Sequence, residues 1–157
     1  MASQSALLLE EYATYHRDRR NLICHAIGIP LIVLAIIALL RLMASRTSYH
    51  HGLAELLVIA VMIYYVTAFR SLGAPRRPYW PAYVACAGLV VLYVIAGSVT
   101  LPWAVGLFVL GWAFQFVGHA FEGKSPAFQT NLLHLLVGPL WVASHLVPRS
   151  VSSSSAR

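Results

Sequence analysis

Residues 78–121 contain no Asp, Glu, Lys or Arg. A charge-free stretch of that length is long enough for two passes of about 20 residues each through a bilayer. The rest of the chain agrees: charged residues make up 10% and hydrophobic ones 59%, against roughly 25% charged in a soluble domain. A chain of 157 residues with this pattern reads as one all-α domain, a polytopic integral membrane protein spanning 1–157. The net charge of +6 then lies in short flanks and loops, where positive residues mark the cytoplasmic side. It is no sign of a nucleic-acid partner; the expected partner is the lipid bilayer.

Taken in order, residues 3–20 read as an interfacial segment, helical over 3–15, with Leu7, Leu8, Tyr12 and Tyr15 on one stripe. Four spans are expected near 22–43, 53–69, 80–99 and 102–121, within a helical membrane bundle covering 22–147. A fifth apolar helix follows at about 128–147, and whether it crosses fully is open. The Ser-rich end, 150–157, reads as a disordered tail. Glu10, Glu11 and Asp18 precede any long apolar run, so no signal peptide is expected. Cys24 and Cys86 both lie in apolar sequence and read as small buried hydrophobes.

Charge bias sets the sidedness. Arg17, Arg19, Arg20, Arg70, Arg76, Arg77 and Lys124 fall on the N-terminal side, against Arg41 and Arg46 on the other. The N-terminal side is therefore expected to be cytoplasmic. Four passes return the chain to that side, so His16, His25, His119 and His134 gather near one membrane face. His50 and His51 fall on the opposite face, in a loop.

One histidine in such a chain is more often a hydrogen-bonded structural group than a ligand. Four that converge by topology point to a metal, because ionisable groups at the membrane are costly and mark function. Imidazole suits Zn, Fe, Cu or Ni, and no thiolate competes here. His16 and His25 are nine residues apart, which is out of phase on one straight helix, so they share an ion only if the chain bends near Asp18–Asn21. Pro30 removes the partner of the Ala26 carbonyl and is expected to loosen the backbone beside His25. His119 and Glu122 share a helical face. Glu122 is either an alternative ligand or a group that orients a ligating histidine; its bland reading is a surface ion pair. Asn21 and Asn131 are caps or supporting donors. His145 is too far from His134 to share its ion. No nucleotide-binding glycine motif, Ser-His-Asp set or desaturase-type histidine box is present, and acidic residues are too few for a carboxylate cage.

Tyr15-His16, Asn21, His25 and Gly28-Ile29-Pro30, together with Gln115-Phe116-Val117-Gly118-His119 and Glu122-Gly123-Lys124-Ser125-Pro126-Ala127, resemble the membrane family of iron(II)-dependent 2-hydroxy-fatty-acid dioxygenases, once called a domain of unknown function. The resemblance covers about residues 10–147. It implies an enzyme of fatty acid alpha-oxidation that takes a long-chain 2-hydroxy fatty acid and O₂ and shortens the acid by one carbon. It implies iron(II) as cofactor, held by His16, His25 and His119, with a weaker match at His134. The arginines Arg17, Arg19 and Arg20 are then candidates to hold the substrate carboxylate. A bacterial inner membrane or an endoplasmic reticulum fits equally, with the metal near the cytoplasmic face. Two other readings stand beside it: a zinc-dependent membrane hydrolase, and a non-enzymatic lipid-binding or scaffold protein. Oligomeric state is not readable.

Overall fold

The computed structural model describes residues 4–44, 52–69, 80–124, 126 and 133–146. These form six α-helices, and no strand occurs among the described residues: α1 (Gln4–Thr14), α2 (Arg19–Ala44), α3 (Leu53–Phe69), α4 (Trp80–Ala96), α5 (Leu101–Glu122) and α6 (His134–Leu146). His50, His51, Asn131 and the Ser-rich tail lie outside the described residues.

Local chemistry explains the boundaries. α5 starts after Thr100, which is extended, with Pro102 in the first turn; it ends at Gly123 in the left-handed conformation, φ 67°. Asp18 caps α2 by accepting a hydrogen bond from the Arg20 N–H at 2.8 Å. α2 then runs unbroken through Pro30 to Ala44. The expected loosening beside His25 is therefore not what positions that side chain.

α2 and α5 form the most extensive helix pair, and glycines bring them together. A Cβ on Gly111 would lie 2.6 Å from Ile32 Cγ1 and 2.9 Å from the Gly28 carbonyl oxygen. A Cβ on Gly118 would lie 2.5 Å from Asn21 Oδ1 and 2.9 Å from Cys24 Cβ. Rising numbers on α5 meet falling numbers on α2, so the two are antiparallel. Small residues at such a crossing let backbones approach closely. α4 packs against α2 and α6, and α3 against α4. Tyr65, fully buried, ties α3 to α6 by donating to the Leu136 carbonyl at 2.7 Å. At the other end of the bundle the Tyr93 hydroxyl donates to Glu55, and the Arg41 guanidinium sits 4.5 Å over the Tyr93 ring. That clamp joins α2, α3 and α4.

Two helices, α2 and α5, are long and apolar enough to cross a membrane; α3 and α4 are apolar but shorter. Among the described residues, two clear spans stand against the four or five expected from sequence. α3 and α4 have 17 residues each, about 26 Å of rise, below a hydrocarbon core of about 30 Å. The last helix is also shorter in its described part, 13 residues. Large apolar side chains face outward on several helices, including Leu56, Val94, Trp103 and Val109.

The seam generates a test. Gly111→Ala should lose on the order of 1–3 kcal/mol from overpacking. Gly106→Ala, on the same helix with nothing within 4 Å, should be neutral or gain about 0.5–1 kcal/mol. Thermal unfolding of the two variants in detergent reads the difference; equal midpoints would mean that the seam is not tightly packed.

Candidate metal centre

The site begins where α1 stops. The last turn tightens, with Tyr15 N–H donating to the Tyr12 carbonyl at 3.1 Å and His16 N–H to the Ala13 carbonyl at 3.3 Å. The chain turns through Arg17 and Asp18 and restarts as α2. That bend lays His16 against His25, which lies in the second turn of α2. His119 comes from the last turn of α5, across the glycine seam. All three side chains are buried. One ligand atom from each lies within 4.8 Å of the others, and the rings stand 4.4, 4.9 and 5.1 Å apart, nearly perpendicular to one another.

The tautomers can be argued from the hydrogen bonds. His16 Nδ1 donates to the Tyr12 carbonyl at 2.7 Å, and His25 Nδ1 donates to the Asn21 carbonyl at 3.0 Å. A neutral imidazole carries a single N–H, so Nε2 of each ring presents a lone pair. The two Nε2 atoms face each other at 3.0 Å. Two lone pairs at that separation repel unless a positive charge lies between them. Burial, first of all, pushes the His16 pKa down to about 4, with His119 and His134 adding to it and the Tyr12 carbonyl and Glu122 opposing. A proton is thus a poor occupant near neutral pH. A metal cation fits, because it takes neutral imidazoles whose second nitrogen is held by a carbonyl. His119 Nδ1 is buried with no hydrogen-bond partner.

Glu122 is turned to another use. Its carboxylate accepts from the N–H groups of Arg17 and Asp18, both at 2.8 Å, and from Asn21 Nδ2 at 3.1 Å. Asn21 also donates to the Tyr15 carbonyl at 3.1 Å. Lys124 Nζ reaches the Thr14 carbonyl at 2.9 Å. The end of α5 therefore clasps the bend that carries His16, and Glu122 stands outside the three-histidine group among the described residues.

His134 is buried at the start of α6, but its Nε2 faces Glu11 Oε2 at 3.5 Å and it too is outside that group. Tyr12 contacts both regions, stacked on His16 at 4.0 Å and tilted toward His134 at 5.8 Å. Arg17, Arg19 and Arg20 are exposed and line no part of the cavity described next. Arg20 pairs with Asp18 at 2.8 Å, which holds that carboxyl below its usual range, and packs 4.4 Å over Phe121. His145 Nδ1 donates to the Trp141 carbonyl at 2.9 Å.

A cavity of about 250 Å³ opens from the three histidines. On α2 its wall runs from His25 through Ile29, Ile32, Val33 and Ile36 to Ile37, about 18 Å of helix. Leu57, Val58 and Val61 of α3 and Trp112 of α5 complete most of the apolar wall. Tyr12 and Gln115, which line the histidine end, were not singled out from sequence. Gln115 carried a signal there: it and His119 are the only amide and imidazole in the charge-free stretch.

An all-helical chain with three buried, converging imidazoles at the head of an apolar cavity is the class of protein that this geometry defines. Residues 3–150 match the family model described as 2-hydroxy-palmitic acid dioxygenase Mpo1-like, and the chain belongs to that family. It is 29% identical over 135 residues to the Saccharomyces cerevisiae 2-hydroxy-palmitic acid dioxygenase MPO1, covering 80% of this chain and 69% of the yeast protein. No solved structure matches it.

Glu122→Ala leaves the Arg17 and Asp18 N–H groups without their acceptor. It should weaken metal binding by roughly 10–100-fold, as supporting groups do, without abolishing it. Equilibrium dialysis against iron(II) distinguishes this from complete loss, which would make Glu122 a ligand.

Proposed function

We propose that this protein is a membrane enzyme, an iron(II)-dependent dioxygenase that converts a long-chain 2-hydroxy fatty acid and O₂ into the acid one carbon shorter. The observation that carries the proposal is the convergence of His16, His25 and His119 at the head of an apolar cavity. Three imidazoles without thiolate suit iron, zinc, copper or nickel; a relative named as a dioxygenase favours iron(II) over zinc. Iron(II) held there would supply the one-electron chemistry that ground-state O₂ requires.

The residues of the chain do the rest. His16, His25 and His119 hold the ion; His134 lies beside Tyr12 as a further candidate, and Glu122 and Asn21 fix the loop that bears His16. Arg17 and Arg19, exposed at the same end, draw in the carboxylate, whereas Arg20 is engaged by Asp18. The alkyl tail lies along the α2 wall, where burial favours it by about 0.8 kcal/mol per CH₂. The burial of all three histidines excludes water from the reacting carbons. The C1–C2 bond breaks, C2 becomes the new carboxyl, and the balance closes with carbon dioxide and water.

In this reading residues 1–157 are one membrane domain. α2 and α5 cross the bilayer, the shorter apolar helices α3 and α4 pack beside them, α1 lies at the interface and α6 packs within the bundle. Contacts from Lys124 to Thr14 and from Glu122 to Arg17 join the N-terminal segment to the end of α5. Both then face the cytoplasm, from a bacterial inner membrane or an endoplasmic reticulum.

Purified protein loaded anaerobically with iron(II) should convert 2-hydroxypalmitate to the acid one carbon shorter only when O₂ is admitted. His16→Ala, His25→Ala and His119→Ala should each lose most of the iron and the turnover. Product formed without O₂ would show that O₂ is not the oxidant and overturn the dioxygenase reading. Full iron content in His25→Ala would overturn the assignment of the site.

A further inference from the structure

One amide in the cavity wall has no partner among the described residues. Gln115 is buried, and its Nε2 makes no hydrogen bond. It lines the cavity one helical turn before His119, on the same face of α5. A buried amide donor left unsatisfied costs stability that an apolar side chain of the same length would not. The opposing helix also makes room for it: a Cβ on Gly28 would lie 2.4 Å from Nε2. Gln115 is thus held in a slot kept free of side chain, within an otherwise largely apolar wall. Nearby, Nδ1 of His16 and of His25 and the Tyr65 hydroxyl donate to backbone carbonyls.

The position selects the ligand atom. Gln115 lies opposite Gly28, while Gly118, beside His119, lies opposite Asn21, Cys24 and His25. Since the cavity continues along α2 to Ile37, Gln115 sits on its inner side, about 6 Å of helix from His119. For a 2-hydroxy acid with its head at the histidines and its tail inward, C2 and its hydroxyl come nearer to this side than the carboxylate does. We propose that Gln115 is the residue that reads the 2-hydroxyl, its Nε2–H donating to the hydroxyl oxygen and so separating 2-hydroxy acids from plain fatty acids. This rests on the reading of the protein as acting on 2-hydroxy fatty acids. A site built to bond a hydroxyl rejects the analogue that lacks it, because its own polar group is then left unpaired.

The test uses metal-free full-length protein in phosphatidylcholine nanodiscs, so that chelation plays no part. Binding of 2-hydroxypalmitate and of palmitate is followed by the fluorescence of the tryptophans, Trp112 being in the cavity wall. The wild type should bind 2-hydroxypalmitate about 10-fold more tightly than palmitate. Gln115→Met, which keeps the length and removes the donor, should bring the ratio to about one while leaving palmitate affinity unchanged or higher. If that variant does not fold, Gln115→Asn, which withdraws the amide by one methylene, should narrow the ratio in the same direction. Equal affinity for the two acids in the wild type, or an undiminished preference in the folded variant, overturns the role of Gln115 alone. Failure of the wild type to bind either acid, both metal-free and loaded anaerobically with iron(II), overturns the substrate class as well.

Discussion

The close antiparallel crossing of α2 and α5 is the contact on which the rest depends. Gly28, Gly111 and Gly118 remove side chains where the two backbones meet. Only at that separation can His25 and His119, from opposite helices, present rings 4.9 Å apart. The same crossing puts Glu122 within reach of the bend before α2. The carboxylate then receives the backbone N–H groups of Arg17 and Asp18 and draws His16 into place. A seam of small residues, a carboxylate clasp and a helix cap at Asp18 together bring three histidines distant in sequence to one point.

Electrostatics then decides what that point suits. Two carbonyls fix the Nδ1 protons of His16 and His25, so their facing Nε2 atoms are both acceptors. Burial disfavours protonation of His16. A pair of inward lone pairs with a third imidazole beside them is a stable arrangement once a cation joins it. The apolar cavity beyond is complementary to a chain, and the Glu55–Tyr93–Arg41 clamp binds the far ends of the helices that wall it.

Much of this was legible in the sequence. The helix limits follow from proline, glycine and charge: 53–69 for the second long helix coincides with α3, and 102–121 lies within α5. The bend between His16 and His25 was required by their nine-residue spacing. The placement of His119 at their end of the bundle needed only an even number of passes, which two helices satisfy as well as the four expected. Less legible were features set by side-chain direction. Glu122 shares a face with His119, which allows ligation, yet its oxygens are taken by N–H groups of the preceding bend. The arginines of that bend point outward, one of them held by Asp18. Pro30 falls in a helix that stays whole, so its effect on His25 could not be read from the missing N–H. The span count was overestimated because apolar composition alone does not report where a helix ends, and α4 stops at Ala96, short of the expected 99. Gln115 was given no role from the sequence; its unpaired donor is visible only once the side chain is packed against Gly28.

The central claim is that three histidine nitrogens share one metal ion. X-ray absorption at the iron edge of anaerobically loaded protein tests it most directly. One iron per chain, with a scattering shell dominated by imidazoles, is the expected result. Iron absent at stoichiometric loading, or bound in a shell without imidazole scattering, would contradict it.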